Sequence, residues 1–230
     1  MGLTVLALAN YAWQVARKPT ELLGLVAPPA PKSPPSTWSE YGSIFHEHST
    51  EVMRPELLAA LVQVESSGDP LARTYWRWRW SWNPFEIYAP ASSAVGILQI
   101  TDGTFAEARR FCIHDHAVAR AGSWADPRAC WFNAFYFRTV PSHAIEMTSA
   151  RLHQVVVETV AEMGVSRATL DQKQRLAAVI HLCGRERGRA FAARGFRPLP
   201  GEGCGDHGLR AYLARVQRFE EAFARMDLAR

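Results

Sequence analysis

Apolar residues recur at helical spacing along most of this chain of 230 residues. Between Met53 and Pro70, Pro55 suits a first helical turn, the run from Glu56 to Val64 is strongly helix-forming, and Gly68 with Pro70 closes it. Leu58, Leu61 and Val62 share one face of that helix, and the next position on the same face is Glu65. A carboxylate stands where a core side chain belongs. Downstream, the pattern predicts a helix capped by Asp102 and running through Phe111, and another opened by Asp126-Pro127 that reaches about Thr139. It then predicts helices from about Ser142 to Met163, from Leu170 to Leu182 and from His207 to Met226. In the last of these, Leu209, Tyr212, Leu213, Val216, Phe219, Phe223 and Met226 recur at steps of three and four. The predicted fold class is mostly α.

Two stretches interrupt the pattern. Val26 to Ser36 is crowded with proline and reads as an extended linker, assigned to residues 26–37, which separates an apolar segment (1–25) from a domain over 38–230. Gly2 to Trp13 is too short to span a bilayer and has no basic residue ahead of it, and Ala7-Leu8-Ala9 has the small-x-small pattern of a signal-peptidase site behind a brief apolar run. Two readings follow: an export signal truncated here, its true start upstream, or a helix through Gln14 to Leu25 lying on the domain or on a membrane surface. The second stretch, Arg73 to Ser93, is irregular or a β-hairpin and alternates Trp with Arg from Trp76 to Trp80, with Ser81 before Trp82. Strict alternation puts indoles on one face of a strand and arginines on the other. Such indoles stack on sugar rings while the arginines meet peptide carboxylates, which makes Trp78 a candidate substrate contact. Packing of the aromatic face into the core and a place at a membrane interface are the alternatives.

Composition narrows the partners. The net charge of +4 and a pI near 9.0 are moderate, and an anionic wall polymer suffices as electrostatic partner. Basic residues are scattered with no continuous stripe, which excludes a nucleic-acid binder. Cys112, Cys130, Cys183 and Cys204 lack the close pairs of a zinc site. Of three pairings, Cys112 with Cys130 and Cys183 with Cys204 are favoured, since each closes a local loop after a helix, stabilising by about 3 kcal/mol and indicating an oxidising compartment. The alternative is four reduced core cysteines in a cytosolic protein.

The chemistry centres on Glu65. Burial and the unpaired carbonyls of a helix C-terminus both favour a neutral carboxyl, the form that can protonate a leaving oxygen. An exposed or salt-bridged glutamate at a frayed helix end is the alternative. The segment Glu65-Ser66-Ser67-Gly68-Asp69-Pro70, followed by Ala94-Val95-Gly96-Ile97-Leu98-Gln99-Ile100-Thr101, resembles the catalytic signature of the soluble lytic transglycosylases, whose fold is goose-type lysozyme-like. The resemblance covers roughly Pro55 to Gly188. It implies that Glu65 is the sole catalytic acid and base and that Gln99 lines the sugar cleft. The family's Tyr-Asn-Ala-Gly motif corresponds to His181-Leu182-Cys183-Gly184, where only the glycine survives, so His181 stands in place of an active-site tyrosine. Ser66, Ser93 and Trp78 complete the candidate substrate contacts with Gln99 and His181.

Other residues carry less chemistry. Glu86, 21 residues after Glu65, is the candidate second carboxylate of a hydrolase, although the resemblance implies a single glutamate. Asp69 and Asp102 read as turn or helix-end residues, and His114-Asp115-His116 as a loop without a third metal ligand. Ser67 lacks a base and an orienting partner, and no Gly-rich phosphate loop is present. The expected activity is cleavage of peptidoglycan between N-acetylmuramic acid and N-acetylglucosamine with a 1,6-anhydro product, in the periplasm, without metal or organic cofactor. A muramidase and a non-catalytic wall-binding component of a secretion apparatus are the alternatives.

Overall fold

The computed structural model describes residues 2–22, 28–123, 126 and 129–229. Eight α-helices and three two-stranded antiparallel hairpins account for most of these residues. The helices are α1 (Gly2–Arg17), α2 (Pro34–Glu47), α3 (Pro55–Ser66), α4 (Asp102–Ala108), α5 (Pro141–Glu162), α6 (Leu170–Cys183), α7 (Arg185–Ala193) and α8 (Leu209–Asp227). The hairpins pair β1 (Trp76–Trp78) with β2 (Tyr88–Pro90), β3 (Phe111–His114) with β4 (Ala117–Arg120), and β5 (Gly203–Cys204) with β6 (His207–Gly208). The chain is a mostly α protein.

Helix α3 forms the axis of the core. Every residue from Leu57 to Gln63 is buried, so the helix is covered on all sides rather than along one stripe. It packs most extensively against α8 and next against α2. Phe45, Leu58, Leu61, Ile97, Ile145, Phe191 and Phe223, drawn from five helices and the loop before α4, have no more than 1 % exposure and join in one apolar cluster. Pro55 opens α3 and Ser67, in the left-handed region at φ 52°, closes it.

Several predicted boundaries shift for local reasons. The proline stretch ends inside a helix: Pro34 and Pro35 occupy the first turn of α2, where the missing N–H groups cost nothing, and Ser33 accepts from the Ser36 amide. Upstream, residues 28–32 lie along the end of α3, with the Lys32 amide donating to Ser67 O and the Ala30 amide to Asp69 Oδ2. The cap of α4 is Thr101 rather than Asp102, and the helix stops at Ala108 because Phe111 already pairs in β3. The helix expected from Asp126 to Thr139 is only a 3-10 turn, Trp131–Phe135, and Pro127 lies outside the described residues. There the Asn133 carboxamide donates to Phe111 O and Arg109 O, while the Arg109 guanidinium takes the carbonyls of Asn133 and Ala134. Those carbonyls are thereby drawn out of a helical ladder. His207 belongs to β6, so α8 starts at Leu209. Helix α7, without a strong apolar period, was not foreseen.

The N-terminal segment is helical as far as Arg17, continues as a 3-10 turn (Pro19–Leu22) and rests on the domain; Leu25 lies outside the described residues. Tyr11 stacks on Trp76, Asn10 donates to Tyr88 O, and Lys18 reaches the carbonyls of Ser92 and Ala94. Both disulfides, Cys112–Cys130 and Cys183–Cys204, are the local ones expected, and bonds of this kind persist in oxidising compartments.

Candidate active site

Because α3 ends at Ser66, the Glu65 side chain emerges where the core opens into a groove of about 540 Å³. Its side chain remains only 17 % exposed. Tyr212, in the second turn of the buried face of α8, donates its hydroxyl to Glu65 Oε1 at 2.7 Å. His181, from the last turn of α6, brings Nε2 to 3.8 Å from the same oxygen, with its own side chain 8 % exposed. Burial lowers the His181 imidazole below its ordinary value, and nearby Arg151 adds to this against the opposing pull of Glu65. The ring is therefore neutral near pH 7, and the contact is a dipolar one rather than an ion pair. Burial, then the negative charge of Glu65, raises the Tyr212 hydroxyl well above its ordinary range and keeps it a donor.

The two sequence motifs meet behind the acid. Ser66 Oγ donates to Ile97 O at 2.7 Å and to Val62 O at 3.1 Å, tying the end of α3 to the second motif. Gly96 lies in the left-handed region at φ 84°, and a Cβ there would stand 2.1 Å from Arg138 O, so only glycine lets these backbones approach. Gln99, also left-handed at φ 46°, donates its amide to Ala72 O and Gly96 O at 3.0 and 2.9 Å. It lines the groove, and its amide hydrogens hold the loop beside Glu65. Ser66 lines a neighbouring groove of about 460 Å³ that shares Glu65 and Arg73 to Tyr75 with the first, so Glu65 sits where the two meet.

The remaining candidates are placed elsewhere. Ser93 lies outside both grooves and accepts from the Asp102 amide at 3.1 Å, an end-of-helix role. Trp78 is 75 % exposed on the outer side of its hairpin, where it packs on Tyr88, and is not brought to the acid. The strand carrying the Trp/Arg alternation is only three residues long, so Trp80 and Trp82 lie in the following turn rather than in the core. Glu86 accepts from Ser81 and pairs with Arg17 at 3.6 Å, away from both grooves. Asp69 holds the amides of Leu71 and Ala30 as a turn residue. His116 bonds Ser49 in the β3–β4 turn, and no metal-holding cluster of three or more His, Cys, Asp and Glu occurs among the described residues.

Three groove residues were not anticipated in their roles. Tyr212 read only as one apolar position of a stripe; its signal was a hydroxyl on a face otherwise without polar atoms, which needs a buried partner. Asp206 sits at the tip of the β5–β6 hairpin and accepts from the Tyr75 hydroxyl at 2.6 Å, a bond that joins the first hairpin to the last. The Cys183–Cys204 bridge anchors that hairpin two residues after His181. Arg215 adds a cation to the wall that Arg73 and Arg77 also line. Comparisons of the chain with protein-family models, with curated proteins and with solved structures return no significant match.

Proposed function

We propose that this chain is a peptidoglycan lytic transglycosylase with a goose-type lysozyme-like fold, acting in the periplasm on glycan strands. The observation that carries the reading is the Glu65 carboxyl at the end of a buried helix, at the junction of two grooves, held by one tyrosine donor and faced by a neutral histidine. Tyr212 occupies Oε1 as a donor, which assigns the transferable proton to Oε2 of Glu65. That proton passes to the glycosidic oxygen as the bond to the muramic C1 breaks, leaving a carboxylate supported by Tyr212. The carboxylate then accepts the proton of the muramic 6-hydroxyl as its oxygen closes on C1. Glu65 ends as it began, no water is consumed, and the products are a 1,6-anhydro end and a free 4-hydroxyl. The acetamido oxygen of the same sugar can shield C1 between the steps. Arg73, Arg77 and Arg215 supply positive charge along the wall against carboxylates of the stem peptides.

A muramidase is the second reading, favoured by Asp206, a carboxylate lining the same groove as Glu65. It replaces Glu86 as the candidate second acid. Mass spectrometry of digested sacculi separates the two, because anhydro ends are lighter by one water than reducing ends. Glu65→Gln is expected to lower turnover by about 10²–10⁴-fold. Wall clearance by that variant at the parental rate would instead favour a non-catalytic component of an envelope complex.

A further inference from the structure

The β1–β2 hairpin and the helix packed beside it carry features that the groove chemistry does not use. The turn between β1 and β2 holds Trp80 and Trp82 with both indoles fully in water, each at 105 % relative exposure. Helix α1 docks beside the same hairpin, with Trp13 against Phe85 and Tyr11 against Trp76. From Thr4 to Ala9 that helix is exposed at every position and bears no charge, and Val5, Leu6 and Leu8 are 62–65 % exposed. A helix apolar on all sides needs apolar cover. No helix among the described residues is long and apolar enough to cross a membrane.

Charge on these elements identifies the cover. Arg79 stands between Trp78 and Trp80, and Arg17 ends α1 against Glu86. Arg79 has no ion-pair carboxylate among the described residues. Indoles and guanidinium groups in alternation suit the headgroup level of a bilayer, where ring bodies meet acyl chains and cations meet phosphate. A purely apolar protein surface would leave Arg79 unpaired. We propose that the Trp78–Trp82 turn and the exposed end of α1 dock together onto an anionic phospholipid surface, with the apolar side chains of α1 in the interface. Tyr75 and Arg77 of the same segment line the groove of Glu65, so docking would hold the groove mouth near the membrane. The inference does not depend on the cleavage reading.

Vesicle co-sedimentation of the full chain tests it, with phosphatidylcholine vesicles containing about a quarter phosphatidylglycerol and vesicles without it. Expected are binding to the anionic vesicles, a blue shift of tryptophan emission and weakening by salt. The double variant Trp80→Ser/Trp82→Ser, altered only at fully exposed positions, is expected to bind at least about tenfold more weakly with unchanged thermal unfolding. Arg79→Glu is expected to lose the preference for anionic vesicles. Absence of vesicle binding by the parent overturns the proposal, and so does full binding by the double variant. A double variant that loses only its pelleting with isolated sacculi assigns the indoles to glycan and overturns it as well.

Discussion

Replacing Tyr212 with Phe removes one hydroxyl and leaves the ring, which is 2 % exposed, in its place on α8. What is lost is the 2.7 Å bond to Glu65 Oε1. In the proposed cycle that oxygen first belongs to the protonated acid, and such a bond is worth about 0.5–1.5 kcal/mol. Once the proton has left, the same oxygen is part of a carboxylate and the bond is worth about 1.5–3 kcal/mol. Only the difference, about 1–1.5 kcal/mol, acts on the barrier, because the ground-state part is present throughout. At 1.4 kcal/mol per decade, kcat for muropeptide release is expected to fall about five- to tenfold with KM unchanged. The assay is release of soluble anhydro-muropeptides from sacculi, counted by mass spectrometry beside a thermal melt. An unchanged kcat in a folded variant refutes the assignment of Tyr212 as the residue positioning Glu65. A loss beyond about 1,000-fold with a native melt refutes it differently, because that size belongs to a group that transfers the proton itself.

Burial lowers His48, His143, His153 and His181 from the ordinary value of 6.5. The unfolded chain therefore binds more protons, so their contribution to stability is intact above about pH 6.5 and is lost as pH falls through it. Burial raises Glu220 to about 7, which works in the opposite sense over the same range, so urea midpoints between about pH 8 and pH 5 are compared in a Glu220→Gln background, where a flat profile contradicts the histidine contribution. Gly96→Ala, whose methyl would meet Arg138 O at 2.1 Å from a left-handed backbone, is expected to cost about 2–4 kcal/mol in denaturant unfolding. Removing either disulfide is expected to cost about 3 kcal/mol. Cys183→Ser/Cys204→Ser, which frees the hairpin carrying Asp206 beside the groove, should also lower activity, whereas Cys112→Ser/Cys130→Ser should not.

How much could be read from the residues depended on whether a signal was local. Helices α5, α6 and α8 carry long periods with plain starts, such as the capping box of Thr169 with Gln172, and they fall within two residues of expectation. Helix α2 was concealed because proline marks both an extended linker and a first helical turn, and only the core packing of Trp38, Tyr41 and Phe45 decides between them. Glu65 is semi-buried for a reason other than an apolar stripe. Helix α3 is buried all round, so no apolar stripe distinguishes position 65; its place near the helix end, where the core gives way to the groove, does.

The partners of that acid were illegible for a related reason. Glu65, Ser66 and Gln99 belong to short motifs whose geometry is fixed by neighbours in the chain: Ser67 and Gly96 supply the left-handed turns and Ser66 reaches Ile97. Tyr212 and Asp206 arrive from more than 140 residues away, placed by the packing of α8 on α3 and by a disulfide. A tyrosine is amphipathic, so on a helix stripe it satisfies the apolar pattern while hiding the one atom that matters to the site. His181 stood at the position of an expected tyrosine, and the tyrosine that donates to Glu65 comes instead from α8. Part of the site is thus an outcome of helix packing, and it is recognised by asking which buried hydroxyl still needs an acceptor.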